Sequence, residues 1–194
     1  MVYHQKKHSW LLLASWLIQP FLCLFVSAGT IDKSFIPVTS DTEYEVYIFL
    51  SEKCPICQSV TTELKKLYSE YHQKGFDFKG IMPNVEISTE ESIGDFKKKY
   101  VLPFTFIRDT TGSYTQWLSA TITPQVFVVR RSDKAIVYSG KIDNSFERVG
   151  RRRTVVTDRY LRSALQNLSA GYPPNPTQTK AVGCYIIRRN QTTE

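Results

Sequence analysis

Two cysteines separated by Pro55 and Ile56, in the stretch SEKCPICQSV from Ser51 to Val60, are the residues of this chain best suited to chemistry. A Cys-x-x-Cys pair serves as half of a zinc site, as a structural disulfide or as a redox-active dithiol. Structural zinc needs four ligands, typically a second Cys pair or two His. Beyond the N-terminal segment the only further candidates are His72 and the solitary Cys184, so no metal site is expected. A dithiol needs one exposed, acidified thiol and a second close enough to resolve a mixed disulfide.

The elements around the pair suit that third use. Tyr44 to Leu50 (YEVYIFL) is aromatic and β-branched and reads as a buried strand. After the cysteines, Val60, Leu64, Leu67 and Tyr71 recur at helical spacing until Gly75, and Gly75 to Met82 reads as a second strand. The pair therefore lies where a strand ends and a helix begins, inside a β-α-β unit. There Cys54 would face unpaired backbone N–H groups and the positive end of the helix dipole, which favour a thiolate. Pro55 fits the first helical position, and Lys53 adds positive charge partly offset by Glu52. Cys57 falls one turn on and deeper, which makes Cys54 the attacking nucleophile and Cys57 the resolving thiol. An inert disulfide is the plainer alternative, but a strand-to-helix turn is where sites of open α/β sheets gather.

Further along, residues 89–100 form a helical pattern with acids first and lysines last, matching the dipole. A segment 101–107 leads to a turn at Asp109–Gly112, and Tyr114 to Ala120 reads as a short helix. Thr123-Pro124 opens the apolar strand Gln125 to Val129, paired with Ala135 to Gly140 across the polar turn 131–134. A last helix spans about Asp158 to Ser169, with Thr157 as cap and Gly171 as stop. This order argues for an α/β fold with a mixed central sheet flanked by helices.

The composition is that of an ordinary globular protein of 194 residues, enough for one domain with a core. Lys6 and Lys7 precede a nearly uncharged run from Trp10 to Val26 that ends at Ser27-Ala28-Gly29, the layout of a secretory signal. A retained membrane anchor is the alternative. The boundaries read are a signal over 1–28, the folded domain over 30–171 and a proline-rich tail over 172–194 carrying Cys184. The domain is expected outside the cytoplasm, in the periplasm or cell envelope. Arg148, Arg151, Arg152, Arg153, Arg159 and Arg162 crowd together. In an exported protein they suggest a solvated face or partner contact, with no nucleic-acid partner.

With these residues in view, the chain resembles the exported redoxins of the thioredoxin-like superfamily, the group related to TlpA and to alkyl-hydroperoxide-reductase-like proteins. Strand-CPIC-helix resembles their active-site motif, and KKYVLPFTFIRDTTGSY resembles their redoxin stretch. The segment from Thr121 to Val129 resembles the one that carries the superfamily's cis-proline. The match runs from about Tyr44 to Ile142, and the tail from Thr179 to Ile186 resembles an ending of some exported redoxins. The resemblance implies a thioredoxin-like fold and thiol:disulfide oxidoreductase activity. It also implies a cis Thr123–Pro124 bond against the cysteines, with the backbone of Thr123 free to pair with an extended substrate chain. No cofactor is implied beyond a redox-active Cys54–Cys57 disulfide. The partners implied are exported cysteine-containing proteins and a membrane or envelope redox partner.

A thioredoxin-like copper carrier would need a His C-terminal to His72, and none exists. A peroxiredoxin-like thiol peroxidase would carry a proline where Tyr47 stands, seven residues before Cys54. A non-enzymatic thioredoxin-fold interaction module, using the arginine segment and the tail, is the other alternative. The buried acid of thioredoxin is missing, with Ile48 in its place, and Gln58, Ser59 and Val60 occupy positions where TlpA-like reductases often carry an acid. The direction of electron flow is not encoded in the Pro-Ile dipeptide, since related proteins span roughly −270 to −120 mV. For Cys184, an inert buried thiol, pairing with another chain and exchange with the CPIC pair all stand open. Val182 and Ile186 suggest packed surroundings and favour the first.

Overall fold

The computed structural model describes residues 42–187. The signal read over residues 1–28, with Cys23, lies outside them. Among the described residues no helix is long and apolar enough to cross a membrane.

Five strands form the central sheet in the order β3-β2-β1-β5-β6: β1 (Tyr44–Phe49), β2 (Phe76–Met82), β3 (Thr105–Arg108), β5 (Gln125–Arg130) and β6 (Ile136–Gly140). β1 runs parallel to β2, and β2 to β3, whereas β5 lies antiparallel to β1 and to β6. The sheet is therefore mixed, with β1 at its centre. Every residue of β1 is buried, which explains an aromatic and β-branched run, broken by Glu45 paired with Lys79 and Lys134, in place of polar alternation.

Successive residues of β1 feed two cores. Val46 and Ile48 join Val60, Leu64 and Leu67 of α1 (Pro55–Tyr71) and Leu161 and Leu165 of α4 (Tyr160–Ser169). Tyr47 and Phe49 face the other way, into a smaller cluster with Ile81, Leu118, Phe127 and Ile186. Each fully buried leucine contributes about 1.5–3 kcal/mol relative to an exposed one. The two layers thus hold β1 from both faces, and with it the turn that carries Cys54.

α2 (Glu90–Tyr100) begins with a capping box, in which the Thr89 hydroxyl accepts from the Ser92 N–H and the Ser92 hydroxyl accepts from the Thr89 N–H. α3 is shorter than the sequence suggests, Ser113–Trp117 instead of reaching Ala120. Ser119 takes a left-handed conformation (φ 53°) and ends it. α4 starts at Tyr160, and its N-cap residue is Arg159, without a side-chain cap bond. Thr157 is not the cap, because Asn144 engages it: the Asn144 amide donates to the Thr157 hydroxyl (2.7 Å) and accepts from the Thr157 N–H (3.1 Å).

The arginine cluster resolves into two uses. One part builds a short ribbon, β7 (Phe146–Arg148) against β8 (Arg151–Arg152), where Glu147 pairs with Arg151 and Arg153. The other part is a clamp between α4 and α1. Arg159 and Arg162 each place a guanidinium nitrogen 2.9 Å from the buried Glu63 carboxylate, and Arg162 also pairs with Glu70.

The proline-rich segment, which includes a cis Asn175–Pro176 bond, leads the chain back onto the sheet. The Ser139 N–H donates to the Thr177 carbonyl and the Thr179 N–H to the Ser139 carbonyl. The Thr179 hydroxyl accepts from the Lys141 N–H at 2.8 Å. The chain then crosses to β4 (Ile122–Thr123), against which β9 (Cys184–Tyr185) pairs antiparallel.

Candidate active site

Cys54 is the N-cap of α1, with extended backbone angles, and Pro55 occupies the first turn. The Gln58 N–H donates to the Cys54 carbonyl and opens the helical ladder. Helical geometry then brings Cys57 back beside Cys54 one turn later. The preceding turn, from Ser51 to Lys53, is fastened from two sides. The Ser51 N–H donates to Cys57 Sγ at 3.4 Å, and the Gln58 amide donates to the Glu52 carbonyl at 2.9 Å.

The Glu52 side chain turns inward. Its carboxylate accepts from the Ser88 hydroxyl (2.8 Å) and the Ser92 hydroxyl (2.9 Å). It ties the cysteine turn to the start of α2, a role its sequence position beside Lys53 did not suggest. The surrounding loop is held in turn by Arg108, whose guanidinium donates to the carbonyls of Ser88 and Val85.

Thr123 meets this turn from the opposite side. The Thr123–Pro124 peptide is cis, and Cys54 Sγ lies 3.4 Å from the Thr123 carbonyl oxygen, to which it donates only when protonated. Proline offers no N–H at this point, so no ladder bond competes for the space beside the sulfurs. Thr123 is fully buried.

The two thiols have opposite acidities. Cys54 is lowered to about 5, first by the hydrogen bond from the Cys57 thiol, then by Cys184 and by the backbone N–H groups of Cys57 and Ile56, against the opposing effect of burial. Cys57 is pushed well up, chiefly by complete burial and then by its neighbour Cys54. The arrangement provides a stable thiolate at Cys54 and keeps a proton on Cys57. The cysteines are free thiols in this structure.

Sequence reasoning asks for an exposed thiol at position 54, yet Cys54 is only 2% exposed. Cys184 is one of the residues that cover it. Its thiol sits 2.9 Å from Cys54 Sγ, so Cys184 lies half-buried at the site. The strand pairing that delivers it is Thr123 opposite Cys184 and Ile122 opposite Tyr185, extended by the Ile186 N–H donating to the Thr121 carbonyl. Val182 and Ile186 do pack, as their apolar character suggests: Val182 against the cluster that holds Cys54 and Cys57, and Ile186 in the smaller cluster on the other face of β1. No local spacing signals this approach, since the two cysteines lie 130 positions apart.

A mixed sheet with β1 central, a Cys-x-x-Cys at the start of the following helix and a cis-proline facing it define a thioredoxin-like α/β protein. Residues 39–150 match the family model described as Redoxin. The chain belongs to the redoxin family and is an oxidoreductase. An uncharacterized conserved protein from Geobacillus kaustophilus is similar in structure, with a TM-score of 0.69 at 27% identity over 79% of this chain and 81% of that one. A hypothetical protein from Sinorhizobium meliloti 1021 is similar at a TM-score of 0.68 and 26% identity, over 78% of this chain and 82% of its own. No curated protein matches the chain.

Proposed function

We propose that the chain is an extracytoplasmic thiol:disulfide oxidoreductase that exchanges disulfides with cysteines of other exported proteins through Cys54 and Cys57. The observation that carries this reading is the opposed acidity of two thiols one helical turn apart, Cys54 held low and Cys57 held high. A structural disulfide has no use for such a difference, whereas dithiol exchange depends on it.

In the reducing direction, the Cys54 thiolate attacks one sulfur of a substrate disulfide. A Cys54–substrate disulfide forms, and the other substrate sulfur leaves as a thiolate. Cys57 then loses its proton and attacks Cys54 Sγ, closing Cys54–Cys57 and releasing the second substrate thiolate, so that two electrons pass to substrate. Proton loss from Cys57 becomes easier at that stage, because the neighbouring Cys54 no longer carries a negative charge. The opposite direction runs the same steps in reverse. The backbone around Thr123 and Pro124 is the substrate-binding edge in this reading, where an extended chain would pair. No cofactor enters beyond the Cys54–Cys57 disulfide itself.

The basic, apolar and small-residue order of positions 1–28 supports export, and with it a membrane or envelope partner that resets the couple. The test is reduction or oxidation of a protein disulfide, with insulin as substrate, together with a Cys57→Ala trap in envelope extracts. Turnover that disappears in Cys54→Ser, and mixed disulfides captured on Cys54, are the expected results. A chain that neither reduces nor oxidises insulin and titrates only under harsh reduction would be a structural disulfide protein instead.

A further inference from the structure

Strand β9 occupies the edge that the proposed function assigns to substrate. The register sets Cys184 directly opposite Thr123, and its thiol lies 2.9 Å from Cys54 Sγ. A cysteine in an extended substrate, paired along the same edge, would have to bring its sulfur to that place. The approach is close enough to constrain the chain: a Cβ at Gly183 would collide with the Thr123 carbonyl oxygen, so only glycine fits there. The Thr123 hydroxyl adds a contact to the Cys184 carbonyl at 3.4 Å.

We propose that β9 is a tethered mimic of substrate and that Cys184 is a third redox-active thiol, which closes a Cys54–Cys184 disulfide when it reaches a mixed disulfide on Cys54 before Cys57 does. The proposal rests on the thiol:disulfide reading of Cys54 and Cys57. The strand is short enough for a longer one to displace. Two residues on each side form the β4–β9 ladder and Tyr185 and Ile187 are exposed, while the buried Ile186 side chain and the Ile186 and Ile187 N–H groups, bonded to the Thr121 carbonyl and the Asn84 side chain, seat its end. With the strand seated, Cys54 is covered and its thiolate is stored; with the strand lifted, an external disulfide reaches Cys54.

The step balances as an exchange. Cys184 gives its proton to water and attacks Cys54 Sγ. The Cys54–Cys184 bond forms, the bond from Cys54 to the substrate sulfur breaks, and the departing thiolate takes up a proton. Two electrons have then passed from the Cys54–Cys184 pair to the substrate disulfide. Cys57 can next attack Cys54 Sγ, forming Cys54–Cys57 and returning Cys184 as a thiol with no net oxidation. While Cys54 is a thiolate, burial, the hydrogen bond that Cys184 donates to it and its negative charge push Cys184 up to about 11, so Cys184 keeps its proton in the resting state. Once Cys54 is in a mixed disulfide, that charge no longer opposes ionisation of Cys184.

The test uses the full chain carrying Cys57→Ser and the aromatic disulfide reagent of Ellman's assay as the probe. After treatment, non-reducing digestion and mass spectrometry are expected to find the Cys54 and Cys184 peptides joined. The reagent adduct on Cys54 should persist at least about tenfold longer in Cys57→Ser with Cys184→Ser, where no intramolecular thiol competes. Gly183→Val, which keeps Cys184 but crowds the pairing, should label faster at Cys54 and cross-link more slowly. An adduct on Cys54 equally persistent with and without Cys184, and no joined peptide, would overturn the role of Cys184. Insulin turnover by Cys184→Ser, with Cys54 and Cys57 intact, separates the two levels. If that variant turns over but the joined peptide never forms, only the inference here falls. If neither it nor the unmodified chain turns over, the thiol:disulfide reading falls with it.

Discussion

The acidity of Cys54 is the quantity on which the chemistry turns, and it can be measured without any substrate. An ordinary thiol titrates at about 8.5, so at pH 7 only about one in 30 is ionised. A value of about 5 makes the thiolate the dominant form at that pH, by roughly a hundred to one. The direct assay is the far-ultraviolet absorbance of thiolate across a pH series, with Cys54→Ser subtracted to isolate this sulfur. The expected midpoint lies near 5, and Cys57→Ala should move it upward because the leading hydrogen bond to Cys54 is lost. The same difference appears in stability. The folded value is depressed, so its contribution is fully present above about 8.5 and disappears as pH falls through about 5. Across that window the reduced chain should lose up to about 5 kcal/mol of unfolding free energy relative to Cys54→Ser, read from paired urea titrations. Cys57 and Cys184 are raised, so their contributions hold below about 8.5 and fade at higher pH. A midpoint at 8 or above in the reduced chain, or one that Cys57→Ala leaves in place, would refute the hydrogen-bonded thiolate.

Glu52→Ala should leave the buried Ser88 hydroxyl without its acceptor and cost about 1–3 kcal/mol in urea unfolding, while slowing insulin turnover as the cysteine turn loosens. Glu52→Gln, which keeps an acceptor, should recover most of both losses. Glu63→Ala should cost about 1–3 kcal/mol by removing the shared acceptor of Arg159 and Arg162, with the Cys54 titration unchanged, because the clamp lies between α1 and α4 and away from the sulfurs.

Periodicity made most of the sheet and helices legible. The strand at Tyr44, the helix carrying Val60, Leu64 and Leu67 and the hairpin around residues 131–134 are elements whose burial follows from local pattern alone. The start of α4 was misplaced for a physical reason: Thr157 looks like a cap, but Asn144, thirteen residues earlier, claims its hydroxyl. Local propensity has no access to such a partner. The position of the cysteine pair at a strand-to-helix turn was readable, and so were the residue types that would acidify one sulfur. Its cover was not. β9 has two residues, too few for any period to register, and the Gly183 that allows it to approach Thr123 looks like an ordinary tail glycine. Glu52 was equally hidden, since its partners Ser88 and Ser92 lie on another element.

The spacing of the three cysteines gives the molecule a sense of time. Cys54 and Cys57 can meet as soon as one turn of helix exists, in a nascent or partly folded chain. Cys184 follows 130 positions later and reaches Cys54 only after the sheet has formed and the tail has crossed it. Loop closure over that distance is costly in an unfolded chain, and a covalent bond there would restrict that chain by about 5 kcal/mol in the chain-entropy account, far more than a bond across three positions. A bond between Cys54 and Cys57 therefore says nothing of whether the polypeptide has finished folding. A bond between Cys54 and Cys184 would be a record that it has.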